Sequence, residues 1–178
     1  MVRGTNPWFE SVFPVVFAFT SARNIHLTEY SVIPIVLRVP WDVEFTDEFG
    51  GWWESLTEEE QDSVAFSVKL LEQYGPTLNH PHSSKVTSSK HGHMRELRVQ
   101  HQGRPYRVLY AFDPRRMVIL LLGGDKTGND RWYGENVPKA DALYDAHLQV
   151  LELEGLLPPE KKRGQSTQDV AERRDEAA

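Results

Sequence analysis

Residues 95–122 restrict the possible folds of this chain more than any other stretch. Two runs, Arg95–Gln100 and Tyr106–Phe112, alternate between apolar and polar or differently sized residues, and a short connection with Gly103 joins them. A third run, Met117–Leu122, is apolar at every position. Alternation with period two marks a half-buried strand, and a short continuous apolar run marks a strand covered on both faces or nearly so. Three such runs in close succession require a sheet, and the short connections make it largely antiparallel.

If Gln102-Gly103 forms the centre of a two-residue hairpin loop, Leu97 faces Val108 and Val99 faces Tyr106, apolar against apolar. Arg98 then faces Arg107. Like charges directly opposite on a sheet are destabilising, so the pair suggests a phosphate or carboxylate held between them. A one-residue slip, which Pro105 leaves open, would separate the two arginines. The plainer alternative is that each arginine pairs with a nearby acid, Glu96 or Asp113.

Upstream, Trp41–Thr46 alternates as a strand, with Thr46 or Asp47 placed to cap a helix. Phe49, Trp52, Trp53 and Leu56 then share one helical face, which reads as core packing. Thr57 and Glu60 form a capping box, and the acidic first turn Glu58-Glu59-Glu60 complements the helix dipole. Val64, Val68 and Leu71 give that helix its apolar stripe, and Gly75-Pro76 ends it. Thr77–Lys90 reads as loop. After the sheet, Asn136 and Pro138 look like the cap and first turn of a last helix, whose apolar face runs from Ala140 through Leu143, Tyr144, His147 and Leu148 to Leu151, with Gly155 as its end. The expected fold is α+β: a small, mainly antiparallel twisted sheet with helices packed on one face.

The domain organisation read from composition is three-part. Residues 1–39 are rich in aromatic and β-branched residues, are broken by prolines, and read as an extension in front of the domain. Glu10 and Pro14 sit badly inside a signal peptide. Residues 40–155 form the domain, and 156–178 read as a disordered polar tail. The 178 residues contain no cysteine, which excludes a disulfide framework, a Cys-ligated zinc site and a thiol nucleophile, and fits a cytoplasmic location. No apolar run approaches the roughly 18 residues needed to span a bilayer.

Charge is divided along the chain. Between Trp41 and Ser84 ten acidic residues stand against Lys69 alone, whereas between Lys85 and Arg131 ten basic residues stand against four acidic ones. A net charge of −6 therefore does not exclude a polyanionic partner, because a ligand responds to the patch nearest to it. Lys126, Arg131, Trp132 and Tyr133 combine cations with aromatic faces, a mixture suited to a flexible nucleic-acid strand. His80, His82, His91, His93 and His101 crowd the same region. Two His-x-His pairs could chelate a metal from extended backbone, but no carboxylate ligand accompanies them. His91 and His93 suit acid/base work or phosphate contact near neutral pH, or solvated loop positions. Asp125-Lys126-Thr127-Gly128 lacks the Gly-Lys order of a phosphate-binding loop.

The stretches HGHMRELR, GRPYRVLYAFDPRR and LLLGGDKTGNDRWY, with WDVEFTDEF before them, resemble the RelE/HigB-like toxins of bacterial type II toxin–antitoxin systems, and more narrowly the phage-derived branch related to HigB. The resemblance spans about Pro40 to Leu151. It implies a RelE-like fold and an endoribonuclease that cuts mRNA, typically on the ribosome, with neither metal nor other cofactor. It also implies a helix-turn-helix antitoxin (HigA-like) as partner, with the oligomeric state set by their complex. By position, Arg98 and Arg107 would hold the scissile phosphate, Lys126 would stabilise charge or donate a proton, and His93 or His91 would act as base. Lys90, Arg95, Arg131 and Tyr133 would hold the RNA. Many relatives carry a lysine in a Leu-Lys-Gly turn, and the matching stretch here, Lys85-Val86-Thr87-Ser88, shifts or lacks it. The ParE relatives share the fold and bind DNA gyrase without cutting nucleic acid. A gyrase inhibitor and an inactive binding module are the alternatives, and the density of Arg, Lys and His on the sheet favours the nuclease.

Overall fold

A computed structural model describes residues 40–157, so the expectations for residues 1–39 and for 158–178 fall outside the described residues. The elements run β1 (Val43–Phe45), α1 (Asp47–Glu54), α2 (Glu58–Tyr74), a 3-10 turn (Gly75–Thr77), β2 (Ser83–Lys85), β3 (Arg95–His101), β4 (Arg104–Phe112), β5 (Val118–Asp125) and α3 (Trp132–Leu153). Strand order in the sheet is β1-β5-β4-β3-β2, with β1 parallel to β5 and every other pair antiparallel. The α+β class and the mainly antiparallel sheet are as the sequence predicts.

Local chemistry sets several boundaries. Thr46 caps α1 by accepting from the Phe49 N–H at 3.2 Å. The Thr57–Glu60 capping box is formed, with the Thr57 N–H donating to Glu60 Oε2 at 2.9 Å and the Glu60 N–H to Thr57 Oγ1 at 3.4 Å. Gly75, at φ +51°, ends α2 where a side chain would collide with the Trp41 indole. The hairpin has the predicted register, with Leu97 opposite Val108, Arg98 opposite Arg107 and Val99 opposite Tyr106. Gln102 and Gly103 both take positive φ, 46° and 83°, as a tight hairpin turn of this hand requires.

Three expectations are corrected. The helices cover both faces of the sheet, not one. Leu97, Val99, Val108, Tyr110, Val118 and Leu120 pack against Phe49 of α1 and Val64, Val68 and Leu71 of α2. The alternate residues Leu109, Ala111, Ile119 and Leu121 pack against Val137, Ala140 and Tyr144 of α3. The cause is that β4 and β5 are apolar on both faces and need cover twice. Next, α3 begins at Trp132, four residues before the expected Asn136 cap, and carries Pro138 within it. Asn136 instead donates its side-chain amide to the Trp132 carbonyl at 2.9 Å. Finally, the segment read as loop contains β2, which pairs with the first three residues of β3.

At its far end β5 runs between two indoles. A Cβ on Gly123 would lie 2.0 Å from the Trp52 ring, and one on Gly124 would lie 3.0 Å from Trp132 Nε1. The glycine pair lets α1 and the start of α3 close on the strand from opposite sides, which brings the N-terminal turn of α3 over Arg107, the β4 residue opposite Gly124. Among the described residues no helix is long and apolar enough to cross a membrane.

Candidate nucleic-acid interface

The face of the sheet that α3 covers at its β4–β5 end continues past the helix as a polar surface. Strand alternation places Glu96 and Arg98 of β3 and Arg107 of β4 on this face. The Arg107 side chain is 9% exposed. Its Nη1 donates to the Tyr106 carbonyl at 2.8 Å, while its Nε is buried and makes no hydrogen bond. Glu96 Oε2 lies 3.6 Å from that Nε, an attraction of charges without a bond. Arg98, directly opposite, is half-buried, and no group among the described residues pairs with its guanidinium.

Glu96 is the centre of this arrangement. Its Oε2 accepts from the Tyr133 hydroxyl at 2.6 Å and its Oε1 from Ser84 Oγ at 2.7 Å. Burial and the bond to Glu96 push the Tyr133 phenol up, against the opposing pull of Arg107, so Tyr133 is a neutral donor near pH 7. Lys126 Nζ stands 5.7 Å from the centre of the Tyr133 ring, a cation–π distance that ties the loop after β5 to the same group. Arg107 and Tyr133 thus meet at one carboxylate, with Lys126 against the Tyr133 ring and Arg98 at the register position opposite Arg107.

The other predicted site residues lie elsewhere. Alternation turns Arg95 to the opposite face of β3, where its Nε donates to Ser83 Oγ and to Tyr110 Oη, both at 3.2 Å, and its Nη2 to the Leu78 carbonyl at 2.8 Å. His91 and His93 flank Tyr144 of α3. His91 Nε2 lies 2.9 Å from Asp145 Oδ1, and His93 Nε2 lies 3.0 Å from Tyr144 Oη. Desolvation first, and then the neighbouring His91, lower the His93 imidazole, which holds it neutral near pH 7. Lys90 pairs with Asp145, and its backbone N–H donates to Asp141 at 3.1 Å. These loop residues are tied to the middle of α3, beyond the Arg95 end of β3. Three residues of strand rise, about 10 Å, separate Arg95 from Arg98 alone. Arg131 is 89% exposed and lies 3.8 Å from Glu135.

Sequence reasoning identified Glu96 only as a possible arginine partner and gave no role to Ser84. The signal for Glu96 was present: alternation puts it on the face of Arg98, and the hairpin register makes Arg107 its diagonal neighbour. Ser84 carried no signal, because β2 is three residues long and lies inside a polar loop. Among the described residues no cluster of three or more His, Asp or Glu side chains could hold a metal ion.

Residues 51–145, more than half of the chain, match the family described as Phage derived protein Gp49-like. The chain is 48% identical over 91 residues to a candidate toxin of Mycobacterium tuberculosis, HigB3, an alignment covering 51% of this chain and 78% of that protein. It is 35% identical over 127 residues to a second candidate toxin of that organism, HigB2, covering 70% of this chain and 62% of the relative. The chain belongs to the Gp49-like family of phage-derived proteins, in its HigB-like branch.

Proposed function

We propose that the protein is the toxin of a toxin–antitoxin pair and acts as an mRNA endoribonuclease that needs no metal. The observation that carries this reading is the juxtaposition of Arg98 and Arg107, opposite each other on one face, the first without a guanidinium partner among the described residues and the second with a buried Nε that makes no hydrogen bond among them. Two cations held opposite each other on one face form a receptor for a phosphodiester. In the proposed reaction the RNA 2′-hydroxyl attacks the adjacent phosphorus and the bond to the 5′-oxygen breaks. This leaves a 2′,3′-cyclic phosphate and a free 5′-hydroxyl. Arg98 and Arg107 stabilise the charge that gathers on the equatorial oxygens, the 2′-hydroxyl proton passes to solvent water, and Lys126 donates a proton to the leaving 5′-oxygen. Tyr133 and Arg131 border the path of the strand. His93 has the neutral form a base requires, but it is bonded to α3 away from the arginines. The reading therefore rests on the phosphate grip and not on a histidine. The homology to candidate toxins supports a cognate antitoxin as partner. A helix-turn-helix antitoxin, a ribosome-bound substrate and a cytoplasmic site of action belong to the same proposal.

The test is induction in a bacterial host with mapping of mRNA 5′ ends within minutes. Cleavage within coding regions is expected, reduced about 100-fold or more in Arg107→Ala and at least about tenfold in Lys126→Ala. Growth arrest with intact mRNA and altered DNA supercoiling would instead indicate a gyrase inhibitor. Loss of cleavage on adding EDTA would refute the metal-free mechanism.

A further inference from the structure

Glu96 has no place in the mechanism above, yet it holds two of its participants. Its side chain is 7% exposed. Burial of a carboxylate is unfavourable unless donors and cations surround it. Here they come from three different elements: Ser84 of β2, Arg107 of β4 and Tyr133 of α3. A purely structural carboxylate would be expected to bond its arginine directly. This one bonds the serine and the tyrosine and leaves Arg107 Nε at 3.6 Å, without a hydrogen bond. The guanidinium is therefore oriented by charge, with Nη1 fixed on the Tyr106 carbonyl. Glu96 is also the acid that offsets part of the field of Arg98, Arg107 and Lys126 on this face.

We propose that Glu96 is the positioning residue of the basic face: it orients Arg107 and Tyr133 and lowers the local positive charge, so that a bound phosphate is gripped in one geometry and then released. The proposal rests on the reading of Arg98 and Arg107 as phosphate-binding. Its sign is distinctive. Removing the charge while keeping the shape, as in Glu96→Gln, strengthens anion binding and slows the chemical step. A role confined to stability would weaken both.

The experiment compares wild type, Glu96→Gln and Ser84→Ala in three measurements. These are binding of a short 2′-O-methylated RNA, which cannot be cut, single-turnover cleavage of the unmodified RNA, and the NMR resonance of the Arg107 Nε–H. For Glu96→Gln, binding is expected to tighten about tenfold, because a charge close to the phosphate site is lost. Cleavage at saturating RNA is expected to slow about tenfold as Arg107 loses its orientation, and its Nε–H resonance to shift. Ser84→Ala keeps the charge and removes one donor from it. The carboxylate then competes harder for Arg107, and RNA binding is expected to weaken about twofold. This second variant decides the matter where Glu96→Gln does not fold. Unchanged or weaker RNA binding in Glu96→Gln, or tighter binding in Ser84→Ala, overturns the proposal. If wild type binds the methylated RNA but cuts no RNA, the nuclease reading falls, and the binding and resonance measurements still decide the role of Glu96.

Discussion

Arg95 and Arg98 stand three residues apart on one strand and have opposite fates. Arg95 is fixed on the α1/α2 side of the sheet by Ser83, Tyr110 and the Leu78 carbonyl. Arg98 faces the other way, opposite a second arginine, with no partner among the described residues. The first arginine serves folding, since it ties the long loop after α2 to the sheet. The second adds repulsion to the folded state and is retained against it. The contrast teaches that a count of basic residues does not locate a binding surface. What locates it is the set of cations whose hydrogen-bonding capacity the fold leaves unused. Arg115 belongs with Arg95, because Asp113 and Glu44 hold its guanidinium at 2.6 and 2.7 Å.

The largest test of this contrast is the pair of alanine variants. Arg98→Ala is expected to reduce RNA cleavage about 100-fold, while the thermal midpoint stays the same or rises as the opposed charges are relieved. Arg95→Ala is expected to cost about 2–3 kcal/mol of stability, since several charge-assisted bonds are lost together, with cleavage per folded molecule retained. Denaturant titration beside a cleavage assay separates the two. A fall in activity without loss of stability in Arg95→Ala would erase the distinction.

A smaller effect concerns pH. Burial raises the Asp113 carboxyl, but the His147 bond, the Met117 N–H and Arg115 more than reverse this, so its folded value lies below the ordinary aspartate range. The unfolded chain then binds the proton more readily than the folded one. Stability from this network is present above the unfolded pKa, near 4, and is lost as pH falls through the folded value. The denaturation midpoint is expected to drop between about pH 5 and pH 3, and to drop less in Asp113→Asn, which starts lower. An equal acid dependence in the two proteins would remove Asp113 from the account.

The smallest effect is expected at Arg131, which is neither fixed as Arg95 is nor opposed to another arginine as Arg98 is. With its side chain 89% exposed, Arg131→Ala should leave stability within about 0.5 kcal/mol. RNA binding should weaken about twofold at low salt and hardly at all at high salt, as for a distant phosphate contact. A loss as large as that of Arg98→Ala would move the centre of the surface toward the loop after β5.

The amino-acid sequence by itself determined the features that depend on near neighbours. The Gln102-Gly103 turn and the two alternating runs fix the hairpin register, because a slip would turn every apolar side chain to the wrong face. The capping box at Thr57 and the Gly75-Pro76 stop set α2, since each is settled within a single helical turn. The double-sided apolar character of β5 was also legible, and with it the need for cover on both faces. Which helix supplies that cover was decided only by the tertiary structure. α3 reaches the second face because Gly124 admits Trp132, a contact between elements that no local period encodes. The same long-range packing ties His91 and His93 to Tyr144 and Asp145, fixes Arg95 under the loop after α2, and closes Tyr133 onto Glu96. Residue type showed that this stretch is basic. The partners each cation meets across the fold decide which of the charges are left for the proposed phosphate contact.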